Sequence, residues 1–214
     1  MTAAEYEYQG PKRGADRAVL LAHGAGADMH AATLTSVADT LAAARIPSLR
    51  FNFPYRTAGR RAPDRPPVLE AAARAAMEEL ATRTKLPNSR LVGGGRSMGG
   101  RICSMIAAAD GALGLVLLGY PLHPPGKPEQ RRVEHFPKLA MPVLFVSGTR
   151  DAFGSPNELK ADAKRVKGRV QFHWVESGDH GFKPLKSSGL STGEALDDVA
   201  AAVVAFVQRL PAPG

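Results

Sequence analysis

The sequence predicts an α/β protein built on a mostly parallel, doubly wound sheet of about seven strands with helices on both faces. Three observations carry this prediction. Short apolar runs of strand length alternate with amphipathic or Ala-rich stretches of helix length along nearly all of the 214 residues. The pentapeptide Gly95-Arg96-Ser97-Met98-Gly99 joins an apolar run, Leu91-Val92-Gly93-Gly94, to a helical segment from Ile102 to Ala109. Residues able to do chemistry also follow the C-terminal ends of predicted strands, where open parallel sheets gather ligands and reactive groups.

Taken in order, a short strand at 5–9 precedes a turn containing Gly10-Pro11 and Gly14, and is expected to pair antiparallel with the strand at 17–22. A helix over 31–45 places Leu34, Val37, Ala38 and Leu41 on one face and leads to a strand at 48–53. The Ala-rich segment 67–86 is helical, followed by a strand at 90–94 and a helix at 98–109. Strands are expected at 113–118, 142–147 and 169–175. A helix begins at Ser155, which serves as N-cap with Pro156 at the first helical position and Glu158 three residues after the cap. The last helix repeats the device with Ser191 and Glu194. It spaces Leu196, Val199, Ala200, Val203, Val207 and Leu210 along one face.

Composition fits one domain over 1–210, with 211–214 expected as a disordered tail. A chain of this length with 44% hydrophobic residues can bury a core without staples. No linker, internal repeat or block of like charge divides it. The N-terminal residues Met1 to Tyr6 lack the basic patch and apolar stretch of a signal peptide, and no apolar run is long enough to span a membrane. The single cysteine, Cys103, excludes an internal disulfide, and the cytoplasm is the expected compartment.

The chemistry begins at Ser97. A Gly-x-Ser-x-Gly turn between strand and helix reads as a nucleophile elbow, in which a strained serine is exposed and its neighbours must be small. Ser97 could also serve simply as a helix N-cap. A nucleophile needs a base and an orienting acid, in the order serine, acid, histidine for such a sheet. Asp151 follows the apolar run Pro142 to Val146, and His180 follows the strand Val170 to Val175. The bland alternatives are a turn-capping Asp151 and an exposed loop His180. The competing acid Asp179 adjoins the histidine, and a sequence neighbour usually points elsewhere, so it reads as a turn former.

Acyl transfer also needs backbone N–H donors for the oxyanion. The Met98 amide supplies one at the start of its helix. The second is expected from the glycine-rich loop His23-Gly24-Ala25-Gly26-Ala27, at Ala25 or Gly26. Tyr55 and Tyr120 follow strands at the active edge and are candidates to wall the substrate site, with ordinary packing the equal alternative; His123 is placed near the same pocket. His23 is expected to shape the oxyanion loop, and His135 and His173 to be surface or edge-strand residues. No paired-histidine helix or cysteine cluster suggests zinc, and neither a Walker loop nor a dinucleotide fingerprint is present, so no metal or other cofactor is expected.

The chain resembles small serine α/β-hydrolases, and more narrowly the dienelactone-hydrolase-like branch that includes the hydrolase-like domains of a testis-expressed protein and of a subunit of a histone-acetyltransferase complex. The resemblance rests on residues 23–27, Phe51-Asn52-Phe53-Pro54-Tyr55, the turn at Ser97, Tyr120 to Pro128, Gly148 to Gly154 and Gly178-Asp179-His180. It implies hydrolysis of an ester, thioester or lactone through an acyl-enzyme. Dienelactone hydrolases proper use a cysteine nucleophile where this chain has Ser97, so their substrate does not transfer. Larger relatives carry a cap domain between their sixth and seventh strands; here only Pro121 to Met141 fills that gap, which implies a shallow, open pocket. Seven strands is one fewer than is usual for this fold.

A net charge of +8 and a pI near 9.9 raise nucleic-acid binding as another function. The arginines are dispersed, without a basic helix or an aromatic-studded basic strand, which argues against it. They suggest instead that Arg56, Arg60, Arg61, Arg96 and Arg101 surround the site mouth and attract anionic substrates. A hydrolase fold kept as a silent interaction scaffold is the other alternative, and such a scaffold has no reason to retain a full set of reactive residues. The expected partner is thus a small ester-like molecule, with no nucleic acid and no membrane; oligomeric state has no signature in the sequence.

Overall fold

The computed structural model describes residues 4–211. Residues 212–214 of the expected disordered tail lie outside the described residues, and Pro211 is exposed. Seven strands form one sheet: β1 (Tyr6–Gln9), β2 (Ala18–Ala22), β3 (Ser48–Phe51), β4 (Leu91–Arg96), β5 (Gly114–Leu118), β6 (Val143–Gly148) and β7 (Val170–Val175). Their spatial order is β1-β3-β2-β4-β5-β6-β7. All neighbours are parallel except β1 and β3.

The expected pairing of β1 with β2 is corrected here. β1 pairs with β3, Tyr6 opposite Phe51 and Gln9 opposite Ser48. The crossover through α1 (Ala32–Ala43) lays β3 against one edge of β2 while β4 occupies the other, leaving the outer edge of β3 for the N-terminal strand. Arg50 of β3, almost fully buried, joins Glu7 of β1 to the carbonyl of Met29.

Two helical layers cover the sheet, and the period-two alternation of the strands decides which side chains meet which layer. In β2, Val19 and Leu21 face α1 and α6 (Thr192–Arg209), packing with Leu34, Leu41, Val203 and Val207. Leu20 and Ala22 face the other way, toward α3 (Pro66–Thr84) and α4 (Met98–Asp110), with Leu69, Leu80, Ile102 and Ile106. A third cluster beneath the segment joining β5 to β6 gathers Tyr120, Phe136, Leu139 and Phe145 with Leu159 of α5 (Pro156–Ala163). A one-turn helix, α2 (Pro54–Thr57), follows β3.

Helix starts follow the sequence signals. Ser155 with Glu158 and Ser191 with Glu194 each form both bonds of a capping box. α3 begins on Pro66 and ends at Lys85 in the left-handed conformation. The start of α4 differs: Ser97 holds the N-cap position without a side-chain capping bond. Its hydroxyl is engaged elsewhere.

Candidate active site

Ser97 has φ 50° and ψ −117°, a conformation that a residue with a Cβ rarely adopts and that is paid for by its surroundings. Its N–H donates to Leu118 O at 2.8 Å, and its carbonyl accepts from Arg101 N at 3.0 Å, which starts α4. The two flanking glycines share one constraint: a Cβ on either Gly95 or Gly99 would sit on the carbonyl oxygen of Ala22 in the neighbouring strand. Elbow and sheet are thereby in backbone contact, and the serine stands proud of the strand ends.

The Ser97 Oγ lies 2.9 Å from His180 Nε2. On the other side of the imidazole, Nδ1 lies 2.8 Å from Asp151 Oδ2 and 3.0 Å from Oδ1. An ionised carboxylate only accepts, so Nδ1 carries the proton and Nε2 is left to accept from the serine hydroxyl. The Asp151 side chain is 1% exposed and the His180 side chain 19%. Asp151 Oδ1 also accepts from the Phe153 N–H at 2.8 Å.

The loops bearing Asp151 and His180 are stitched to each other. Thr149 N–H donates to Val175 O and Arg150 N–H to Gly178 O, while a Cβ on Gly148 would collide with the Gly178 carbonyl. Asp179 is spent on its own turn, its Oδ1 accepting from the N–H groups of Gly181 and Lys183 at 2.7 and 3.0 Å. Phe182, fully buried, anchors the far side of that turn in the core. Gly119, at φ +58°, lies against the His180 ring, where a Cβ would come within 3.5 Å of Nδ1 and Cε1.

Ser97, His180, Met98, Ala25 and Phe153 line one cavity of about 450 Å³. Met98 is the first residue of α4, where an N–H has no acceptor within the helix. Gly26 is exposed, with φ +75°, and does not line the cavity. Gly24 packs against the elbow, where an added Cβ would stand 3.5 Å from the Ser97 Cβ. His23 fixes this loop from inside: its Nε2 accepts from Phe53 N–H at 3.1 Å, and Nδ1–H donates to Gly24 O at 2.9 Å. Burial lowers its pKa, in keeping with a neutral ring that donates once and accepts once.

Several candidates lie elsewhere. Tyr55 is fully buried between β3 and α3 and stacks with Phe53, because α2 turns it inward directly after the strand. Tyr120 is buried against Phe136 and Phe145, its hydroxyl donating to Arg132 O at 2.6 Å. His123 is 5% exposed, donates to Pro124 O and faces Glu158. None of the three lines the cavity. Arg56, Arg60 and Arg61 also stand outside it, Arg56 beside Asp28 and Arg60 beside Asp64, whereas Arg96 and Arg101 line it. His135, expected to be a surface or edge-strand residue, is half-buried, with Nε2 2.7 Å from Ser104 Oγ.

Phe153 and Arg132 are among the cavity residues that escaped the sequence reading. Phe153 stacks on His180, and Arg132 arrives from the segment between β5 and β6. Only the position of Phe153, two residues after Asp151, offered a signal. Among the described residues no cluster of three or more His, Cys, Asp or Glu side chains is placed to hold a metal ion, and no helix is long and apolar enough to cross a membrane.

Comparison with known proteins agrees with this architecture. The model of the alpha/beta hydrolase domain family matches residues 15–208, and the chain belongs to that family. Among solved structures it is similar to an alpha-beta serine hydrolase homologue from Coxiella burnetii (TM-score 0.74, 18% identity, 95% of this chain and 91% of that one). It is likewise similar to a dienelactone hydrolase from Anabaena variabilis (TM-score 0.75, 18% identity, 97% and 92%). A third is a serine hydrolase without a lid from Xanthomonas campestris (TM-score 0.71, 19% identity, 99% and 91%). At these identities the likeness is one of fold.

Proposed function

We propose that the chain is a serine hydrolase that cleaves small carboxylic esters through an acyl-enzyme, with Ser97 as nucleophile, His180 as general base and acid, and Asp151 as the group that orients and stabilises the imidazolium. The observation that carries this reading is the continuous hydrogen-bonded chain from the Ser97 hydroxyl through both nitrogens of His180 to a buried carboxylate. A residue serving only as a helix cap would spend its hydroxyl on the helix, and Ser97 does not.

In the reaction, His180 Nε2 takes the Ser97 proton as Oγ bonds to the ester carbonyl carbon. The resulting oxyanion accepts hydrogen bonds from the backbone N–H groups of Met98 and Ala25, each worth about 3 kcal/mol of transition-state stabilisation. Collapse breaks the bond to the alcohol, which leaves with the proton from Nε2. Water then attacks the acyl carbon, giving a proton to Nε2; the bond from that carbon to Ser97 Oγ breaks, Oγ takes the proton back from Nε2, and the carboxylic acid leaves. Proton transfer by the imidazole contributes about a hundredfold to ten-thousandfold. The similarity in fold to a dienelactone hydrolase and to the esterase domain of a Rhodothermus marinus protein supports ester chemistry. Side chains, backbone amides and water suffice for each step.

The test is hydrolysis of short alkyl and aryl esters by the wild type and by Ser97→Ala. The reading requires turnover by the wild type and its loss, by at least about a thousandfold, in the variant. Equal rates would remove it.

A further inference from the structure

The cavity beside Ser97 is cationic in a way the reaction itself does not need. Arg96, Arg101 and Arg132 all line it, coming from the elbow, from α4 and from the segment between β5 and β6. None of them makes an ion pair among the described residues. By contrast, Arg17, Arg50, Arg60, Arg74, Arg83 and Arg131 each sit beside a carboxylate. The one acid lining the cavity, Asp64, pairs through Oδ1 with Arg60 at 2.7 Å, and its Oδ2 is buried without a hydrogen-bond partner.

Arg101 and Arg132 are moreover held in an unfavourable setting. Arg101 Nε is buried without a hydrogen-bond partner. Burial and the neighbouring charge of Arg101 both lower the pKa of Arg132, so two cations face the same space. The Arg132 backbone is fixed at both ends, its N–H donating to Leu122 O at 2.9 Å and its carbonyl accepting from Tyr120 Oη at 2.6 Å. Arg96 donates to His180 O at 3.2 Å; burial lowers its pKa, and the charges of Asp151 and Asp179 oppose that shift. Unpaired, partly buried like charges are costly, and an anion between them would offset that cost.

The remaining walls, Leu69, Met98, Ile102, Pro121 and Phe153, are apolar. Arg101 lies one helical turn beyond Ser97, about 6 Å along the axis, and side chains on a helix lean back toward its N-terminus. We infer that the cavity takes a short ester bearing a carboxylate a few carbons from the scissile carbonyl, the carboxylate held by Arg101 and Arg132 while the carbonyl rests at Ser97. The planar forks of arginine match a carboxylate. The inference rests on the serine-hydrolase reading above and adds the substrate class.

The experiment compares matched pairs. Ethyl pentanoate and monoethyl glutarate place a methyl or a carboxylate at the end of the acyl chain; ethyl butanoate and O-butanoylglycolate do the same on the alcohol side. The wild type is expected to favour the anionic member of one pair in kcat/KM by about tenfold to a hundredfold, and the ratio should shrink as ionic strength rises. Arg101→Gln and Arg132→Gln should each lower that ratio about tenfold, with Arg101→Lys retaining part of it. A preference in the glutarate pair places the anion on the acyl side and one in the glycolate pair on the alcohol side; either supports the inference. Hydrolysis of the neutral esters with no preference in either pair overturns it and leaves Ser97 as the nucleophile. An enzyme that a fluorophosphonate labels but that hydrolyses none of the four esters also overturns it. A folded protein that is neither labelled nor active fails both readings.

Discussion

The ring of Phe153 lies over the imidazole of His180, with centroids 4.1 Å apart and planes inclined by 28°. The same residue donates its N–H to Asp151 Oδ1 at 2.8 Å. One loop position therefore restrains His180 through its side chain and Asp151 through its backbone. The His180 ring is left with little freedom to swing out of line with Ser97.

Removing that ring should show in turnover more than in binding. Phe153→Ala is expected to lower kcat by about tenfold to a hundredfold, since misplacing a reacting group by an ångström can cost about that much, with KM changed less. Phe153→Leu, which keeps apolar bulk against the imidazole, should recover part of the loss. Steady-state kinetics on one short ester separates the two parameters.

Asp151→Asn preserves the size of the side chain but removes the charge and the acceptor-only character that set the His180 tautomer. The expected loss in kcat is about a thousandfold to ten-thousandfold, with little change in the unfolding midpoint. A loss of less than tenfold would show that the carboxylate does not act through the imidazole.

At Gly95 the consequence is structural. An added methyl group would meet the carbonyl oxygen and nitrogen of Ala22, both of them backbone atoms of β2. Gly95→Ala should therefore destabilise the protein by about 2–4 kcal/mol, read from the urea midpoint. Ser97→Ala keeps the same Cβ in the same backbone conformation and should stay within about 1 kcal/mol of the wild type.

His135 gives a pH signature of the fold. Burial pushes its pKa down to about 4, the charge of Arg101 pushes the same way, and Glu134 opposes both. Below the ordinary value of 6.5 the unfolded chain takes up a proton that the folded chain refuses, so stability falls as pH drops from 6.5 toward 4 and this contribution levels off below that. His23, also held down by burial, adds to the fall in the same direction. His135→Gln should flatten part of the slope of unfolding free energy in that window, measured by denaturant titration at several pH values.

The features legible in the sequence are those set by local sterics and by period. Gly95 and Gly99 mark the elbow because nothing larger fits there, and the residue pairs Ser155–Glu158 and Ser191–Glu194 mark helix starts because their bonds close within four residues. The order of Ser97, Asp151 and His180 after three strands follows from the parallel sheet alone. What escaped was long-range. The partner of β1 depends on where the α1 crossover delivers β3. Tyr55 and Tyr120 follow strands at the expected edge, yet their rings turn into the core, and whether an aromatic after a strand faces a cavity or packing is decided by residues such as Phe53 and Phe136 that meet it only on folding. Arg132 lies in a segment of irregular structure, where no periodicity indicates direction.

The central claim, that Ser97 is the nucleophile activated by His180, is tested most directly by reaction of the folded protein with a fluorophosphonate, followed by mass mapping of the adduct. The account predicts a single phosphonyl group on the peptide containing Ser97, absent in Ser97→Ala and formed far more slowly in His180→Ala. An adduct on another residue, or an unmodified wild type, would contradict it.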